Sequence, residues 1–195
     1  MMQQSVYVVY PESFGSFSKF ERKLAKILQN GNFIINYDND PGGFIKVFCE
    51  SKKIESHVYG SAAEAIDSSS HAIFFEDRDC FFLSKQRVMD RNIPYRTVVL
   101  ELTKVVNRDK GDPYDVYIGR GTVWGNPYQM GVDGGREEVI RKFKYDFDNG
   151  LLKASDDFEV NVSRLRGKQI ACHCKPAACH GDVIAAYLNA QDDGK

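Results

Sequence analysis

Residues 71–77 read HAIFFED, and the reading of this stretch and its sequel decides the fold. Four apolar residues between His71 and Glu76 form the short continuous run expected of a strand buried on both faces. DCFFLSKQRVMDRN (79–92) predicts a helix, and YRTVVLEL (95–102) predicts another strand. Strand, helix, strand in that order favours a right-handed parallel crossover. Working back toward the N-terminus, the same alternation repeats. VYVVY (6–10) is a strand ended by Pro11, and Ser18 is placed to cap a helix to Gln29 that carries Phe20, Leu24, Ile27 and Leu28 on one face. FIINYD (33–38) is a second strand, NDPGG (39–43) a turn, and 44–53 a short helix. HVYG and AAEAI add a short strand and a short helix. The fold class is α/β, a Rossmann-like, mostly parallel sheet.

A smaller α/β unit follows. NRDKGDP (107–113) is polar, with a Gly and a Pro, and reads as a connection. DVYIG (115–119) predicts a short strand running into the loop RGTVWGNPYQMGVDGG. A helix from Arg136 to about 151 has Val139, Ile140, Phe143 and Phe147 on one side, with Glu137 and Glu138 favouring its N-terminus. KQIACHC (168–174) predicts a strand, CKPAACHGD a loop, and DVIAAYLN (182–189) a closing helix. The division is 1–106, a linker at 107–112, a second domain at 113–190, and a tail, QDDGK, expected to fray.

The chain has 195 residues, with 26 basic and 27 acidic side chains. That balance excludes a basic nucleic-acid coat and an acidic disordered segment. No apolar run approaches the roughly 20 residues of a membrane-spanning helix. The start, MMQQSVYVVYPES, lacks the basic and apolar regions of a signal peptide, so a cytoplasmic protein without membrane association is expected. An odd count of five cysteines agrees, being awkward for a secreted disulfide scaffold.

Two segments carry the chemistry. In IACHCKPAACHGDVIAAYL, Cys179, His180 and Gly181 arrive where a helix begins, and a helix N-terminus favours anions and lowers thiol pKa values. His180, Asp182 and Cys179 are the catalytic candidates. Cys172, Cys174, Cys179 and His180 are four soft ligands that suit zinc. Their spacing, with no distant second pair, argues against a metal, and Cys172 and Cys174 equally fit small buried core residues. In YIGRGTVWGNPYQMG, Gly119, Gly121 and Gly125 allow close approach of a ligand to the backbone. Arg120 suits a phosphate, Trp124 stacking on a base or sugar, and Asn126 a hydrogen-bonding edge. Gly181 and Asp77 complete the binding set. Strand C-terminal ends collect on one rim of a parallel sheet, so both loops are expected at one site.

DVYIGRGTVWGNPY with GKQIACHCKPAACHGDVIAAYL resembles a domain family of phages and bacteria marked by I-G-R-G-x-x-W-G-N-P and C-x-C-x-P-x-x-C-H-G-D, over about 113–190. The N-terminal half resembles Rossmann-like nucleotide-binding proteins related to nucleoside deoxyribosyltransferases, which implies a nucleotide or nucleoside over glycine-bearing turns, here Gly42 and Gly43. Two functions follow as expectations. The first is an enzyme on nucleosides, nucleotides or nucleotide sugars, acting by glycosyl transfer or glycosidic cleavage, with phage DNA or nucleotide modification as its setting. The second is a nucleotide- or nucleic-acid-binding module, with or without zinc, that performs no chemistry.

Overall fold

The computed structural model describes residues 4–153 and 157–194, and the chain divides into two compact units. One runs to Leu100 and takes the chain back at Gln191; the other is Glu101–Ala190.

The first unit contains β1 (Gln4–Val9), α1 (Phe17–Leu28), β2 (Phe33–Tyr37), α2 (Phe44–Lys52), β3 (Ser56–Val58), α3 (Ala62–Asp67), β4 (His71–Glu76), α4 (Phe82–Asp90) and β5 (Tyr95–Val99). All five strands are parallel, in the order β3-β2-β1-β4-β5. This is a Rossmann-like α/β sheet. The chain winds outward from β1 to β3 and then returns to β4, so a switch point lies between β1 and β4. HAIFFED forms β4 as read, with Phe74 and Phe75 fully buried. Phe75 packs on Phe20 of α1 at 4.8 Å between ring centroids, and Tyr10 stacks on Phe44 at 5.0 Å. Each such side chain contributes about 1.5–3 kcal/mol by leaving water.

Several boundaries moved for physical reasons. Ser16, not Ser18, caps α1, accepting the Lys19 N–H. The helix expected from Asp79 begins at Phe82, because Arg78 and Asp79 have φ of 50° and 53°, outside the range of a right-handed helix. Asp79 instead closes a turn, its carbonyl accepting the Phe82 N–H at 3.2 Å. The tail does not fray among the described residues: Asp192 pairs with Arg22 and Asp193 with the buried Lys19, each at 2.8 Å. Met1, Met2, Gln3 and Lys195, which belong to the segments read as an unprocessed start and a frayed end, lie outside the described residues.

The second unit contains β6 (Lys104–Asn107), β7 (Val116–Tyr117), α5 (Arg136–Asp148), α6 (Phe158–Ser163), β8 (Gln169–Cys172) and α7 (His180–Asn189). Its three strands are parallel, in the order β6-β8-β7. β6 and α6 were not anticipated: KVVN and FEVNVS are too short for a periodic pattern to register. The stretch 107–112 holds the end of β6 and a 3-10 turn, Arg108–Lys110, capped by the Asn107 side chain. At the start of this unit, Thr103 and Asn189 exchange two hydrogen bonds, and the Thr103 hydroxyl donates to the Leu165 carbonyl. Phe143, Phe147, Ile170 and Ile184 fill the core.

Candidate functional site

In the first unit the glycine turn is filled by the protein itself. The Gly42 and Phe44 N–H groups donate to the Tyr10 hydroxyl at 2.8 and 3.2 Å. Those of Ile45 and Lys46 donate to the Asp40 carboxylate, both at 3.0 Å. The Tyr10 hydroxyl donates in turn to Asp40, and burial, with that hydrogen bond, pushes its pKa up. A carboxylate thus occupies the place at the start of α2 where a ligand's phosphate would sit. Asp77, expected to bind ligand, is buried at 4% exposure and ion-paired to Arg78 at 2.8 Å.

The second unit carries a cavity of about 400 Å³ at the C-terminal ends of its parallel strands. Gly119, Arg120 and Asn126 from the loop after β7 line it, together with Cys172, Cys174, Cys179 and His180 from β8 and the start of α7. The two sequence motifs therefore meet at one site. Its size lies in the range of small-molecule pockets. Arg136 and Val139 of α5 line the facing wall, with Tyr128 and Met130.

Position alone does not give each residue the expected task. Trp124 is 6% exposed in the core, its ring edge-on to Phe158, so it is not a stacking platform. A Cβ on Gly181 would lie 2.7 Å from Ile118 and 3.0 Å from Val105, so this glycine lets α7 pack on the sheet. Asp182 accepts the Cys179 N–H at 2.9 Å and pairs with Lys175 at 2.5 Å, completing the cap of α7. It does not line the cavity. Asn126 donates to the Val139 carbonyl at 3.0 Å and accepts the Tyr128 N–H at 2.9 Å, so part of its edge holds the loop. Gly121 and Gly125 line a neighbouring depression that shares Arg120 and Asn126 with the main cavity. His180 is 7% exposed; its Nε2–H donates to the Ile118 carbonyl at 2.9 Å, which leaves Nδ1 as the ring nitrogen able to exchange a proton. Among the described residues no group of three His, Cys, Asp or Glu is placed to hold a metal ion.

Other residues at the site escaped the sequence reading. His173 Nδ1 contacts the Asp109 carboxylate at 2.8 Å, and its Nε2 contacts the Tyr117 hydroxyl at 2.8 Å. Tyr117 and His173 both line the cavity. The chain Asp109–His173–Tyr117 draws one residue from beyond each of β6 and β8 and one from the end of β7. Nothing local marks it: Asp109 lies in the stretch 107–113 read as a connection, and His173 in the stretch 168–174 read as a strand. The Arg108 guanidinium covers the Tyr117 ring at 4.7 Å from its centroid.

The thiols are electrostatically unequal. Cys172 and Cys179 have their sulfurs 3.1 Å apart. The hydrogen bond between the two sulfurs holds the Cys172 thiol well below the usual range against the opposing effect of burial, and the Cys174 N–H and the charge of His180 act in the same direction. Cys179 is pushed far up by the same hydrogen bond, by burial and by the Cys172 charge. Burial and the Cys172 charge also raise Cys174, while Arg136 lowers it.

The family described as Minimal SLOG domain matches residues 2–106, more than half of the chain. The chain belongs to the minimal SLOG family. SLOG domains are associated with nucleotide-related functions. After the SLOG unit, residues 103–190 match the family described as Domain of unknown function (DUF4326). The Uncharacterized 12.4 kDa protein in nrdA-td intergenic region of Enterobacteria phage T4 is 45% identical over 89 residues, covering 45% of this chain and 79% of the phage protein. These matches fit a family of phage and bacterial domains. No solved structure matches the chain. No helix among the described residues is long and apolar enough to cross a membrane.

Proposed function

We propose that this SLOG protein is a cytoplasmic enzyme acting on nucleotides or nucleotide sugars, by transfer or cleavage at the glycosidic carbon, in the cavity of its second unit. The observation that carries the reading is that Arg120 and Arg136 share one 400 Å³ cavity with Tyr117, Tyr128 and two histidines. A guanidinium fork suits a phosphate, and aromatic faces suit a base. The capping of the α2 N-terminus by Asp40 favours the second unit over the first as the place for ligand.

Among the described residues no Asp or Glu lines this cavity, so the carboxylate pair of ordinary glycosidases is not the mechanism assigned here. With Nδ1–H donated to Asp109, His173 Nε2 accepts the Tyr117 O–H. The hydroxyl can then take a proton from an attacking water or acceptor hydroxyl while passing its own to His173. That oxygen bonds to the sugar carbon as the bond to the base breaks. The electron pair goes to the base, which takes a proton, and His180, entering the step as an imidazolium with Nε2–H on the Ile118 carbonyl, is the group assigned to supply it from Nδ1. Nucleotides within phage DNA are one setting for this chemistry. The lack of a lining carboxylate favours a second reading, a nucleotide-binding module without turnover.

A thermal-shift series with nucleosides, nucleotides and nucleotide sugars tests the assignment. A nucleotide at a hundredfold excess over Kd adds about 2.7 kcal/mol, or roughly 5–10 °C in Tm for a chain of this size. Nucleotides should act and nucleosides should not, and Arg120→Ala should remove the shift. Release of free base, lost in Tyr117→Phe with the thermal shift retained, supports the enzyme; a shift without release supports the module. A flat panel, or a shift indifferent to Arg120→Ala, rejects both.

A further inference from the structure

We propose that Cys172 and Cys179 are a modification site, at which a hydroperoxide oxidises Cys172 and Cys179 closes the product as an intramolecular disulfide. The inference stands on the geometry of the thiols and is independent of the nucleotide reading. Cys172 ends the central strand β8 and is 1% exposed, yet it lines the cavity, through which a small oxidant has a path to it. Its sulfur accepts the Cys174 N–H at 3.3 Å and lies 3.1 Å from the Cys179 sulfur. A disulfide requires about 2.05 Å, so the pair has only about 1 Å to close. Cys179 is anchored for the approach as the N-cap of α7, its N–H held by Asp182.

The reaction has an order. Cys172, whose sulfur accepts the Cys174 N–H at the lining of the cavity, is the nucleophile toward an electrophilic oxygen. Its sulfur attacks one peroxide oxygen and the O–O bond breaks. The departing oxygen takes a proton and leaves as water or an alcohol, and Cys172 becomes a sulfenic acid. The Cys179 sulfur then attacks the Cys172 sulfur and the S–O bond breaks. The sulfenic hydroxyl leaves as water, taking the Cys179 proton. Two electrons have passed from the two thiols to the peroxide. Cys49 is a poor competitor, since burial pushes its thiol up to about 11.

The test uses the reduced, full-length chain at pH 7 with hydrogen peroxide, followed by peptide mass spectrometry. The wild type should lose two hydrogens at a Cys172–Cys179 link that dithiothreitol restores. Cys179→Ser should accumulate a dimedone adduct at Cys172, formed about tenfold faster than one at the exposed Cys80. Cys172→Ser should form neither product. A first product at Cys49, Cys80 or Cys174, or a link other than Cys172–Cys179, overturns the proposal. Should Cys179→Ser fail to fold, time-resolved mapping of the wild type still identifies the first sulfur oxidised and its partner. Nucleotide-dependent melting of the reduced protein reports on the other reading separately.

Discussion

Gly125 has no room for a methyl group. A Cβ at this position would lie 2.7 Å from the Gly119 carbonyl oxygen and 3.0 Å from the Arg120 Cα. Both are backbone atoms, which cannot swing aside as a side chain can. Gly125→Ala should therefore push the loop away from Arg120 at a cost of about 1–3 kcal/mol. Melting should show the lower Tm, and the nucleotide-dependent shift should shrink with it. An unchanged Tm would mean that the two loop segments are not pressed together. At this scale the sequence picked out a loop that lines the cavity, while the surroundings of its individual side chains came from the packing. Trp124 has the chemistry to stack on a base, but the same ring, buried, holds the loop to the core. Periodicity and motif spacing do not distinguish those uses; only the packing around the ring does.

At the scale of elements, the start of α2 illustrates how a helix end can be closed to ligand. Gly42 and Gly43 supply the tight turn, and Asp40 with Tyr10 then satisfies the backbone donors that the turn exposes. Asp40→Ala should strip this cap and cost about 1–2 kcal/mol of stability, read as a lower denaturant midpoint with an unchanged slope. A midpoint equal to that of the wild type would show the cap to be dispensable. NDPGG was legible as a turn because its residue types are turn formers. Its self-capping was not, because Tyr10 lies 30 residues from Asp40 and meets it only across the β1–β2 pairing. The starts of α4 and β6 were missed for a related reason: positive φ at Arg78 and Asp79, and pairing with the distant β8, override local propensity.

Across the whole molecule, exposed arginines set the acid limit. Hydrogen bonds from Arg22, Arg87 and Arg141 hold the carboxyls of Asp192, Asp67 and Glu138 below their usual range. A carboxyl with a depressed folded pKa stabilises the protein fully above its unfolded value, near 4. That contribution is lost as the pH falls through the folded value. Tm should thus stay level from about pH 7 to 5 and decline below about 4, more gently at high salt, where such pairs are screened. A Tm that rises on acidification below 4 would contradict the assignment of these pairs.

The sequence by itself determined the α/β class, the β4 strand and the two loops that line the cavity, because these rest on local residue choice: apolar runs, turn formers and helix starts. The tertiary structure alone decided which of those residues face the cavity. Parallel pairing of β6, β8 and β7 brings the loops after 107, 117 and 172 to one rim. That assembles Asp109, His173 and Tyr117 from positions up to 64 residues apart, and it sets Cys172 against Cys179. The same packing withdraws Trp124 into the core and ties Asp182 to the end of a helix. A side chain's chemistry is local, but its partners are chosen by strand register and by burial, which depend on the whole fold.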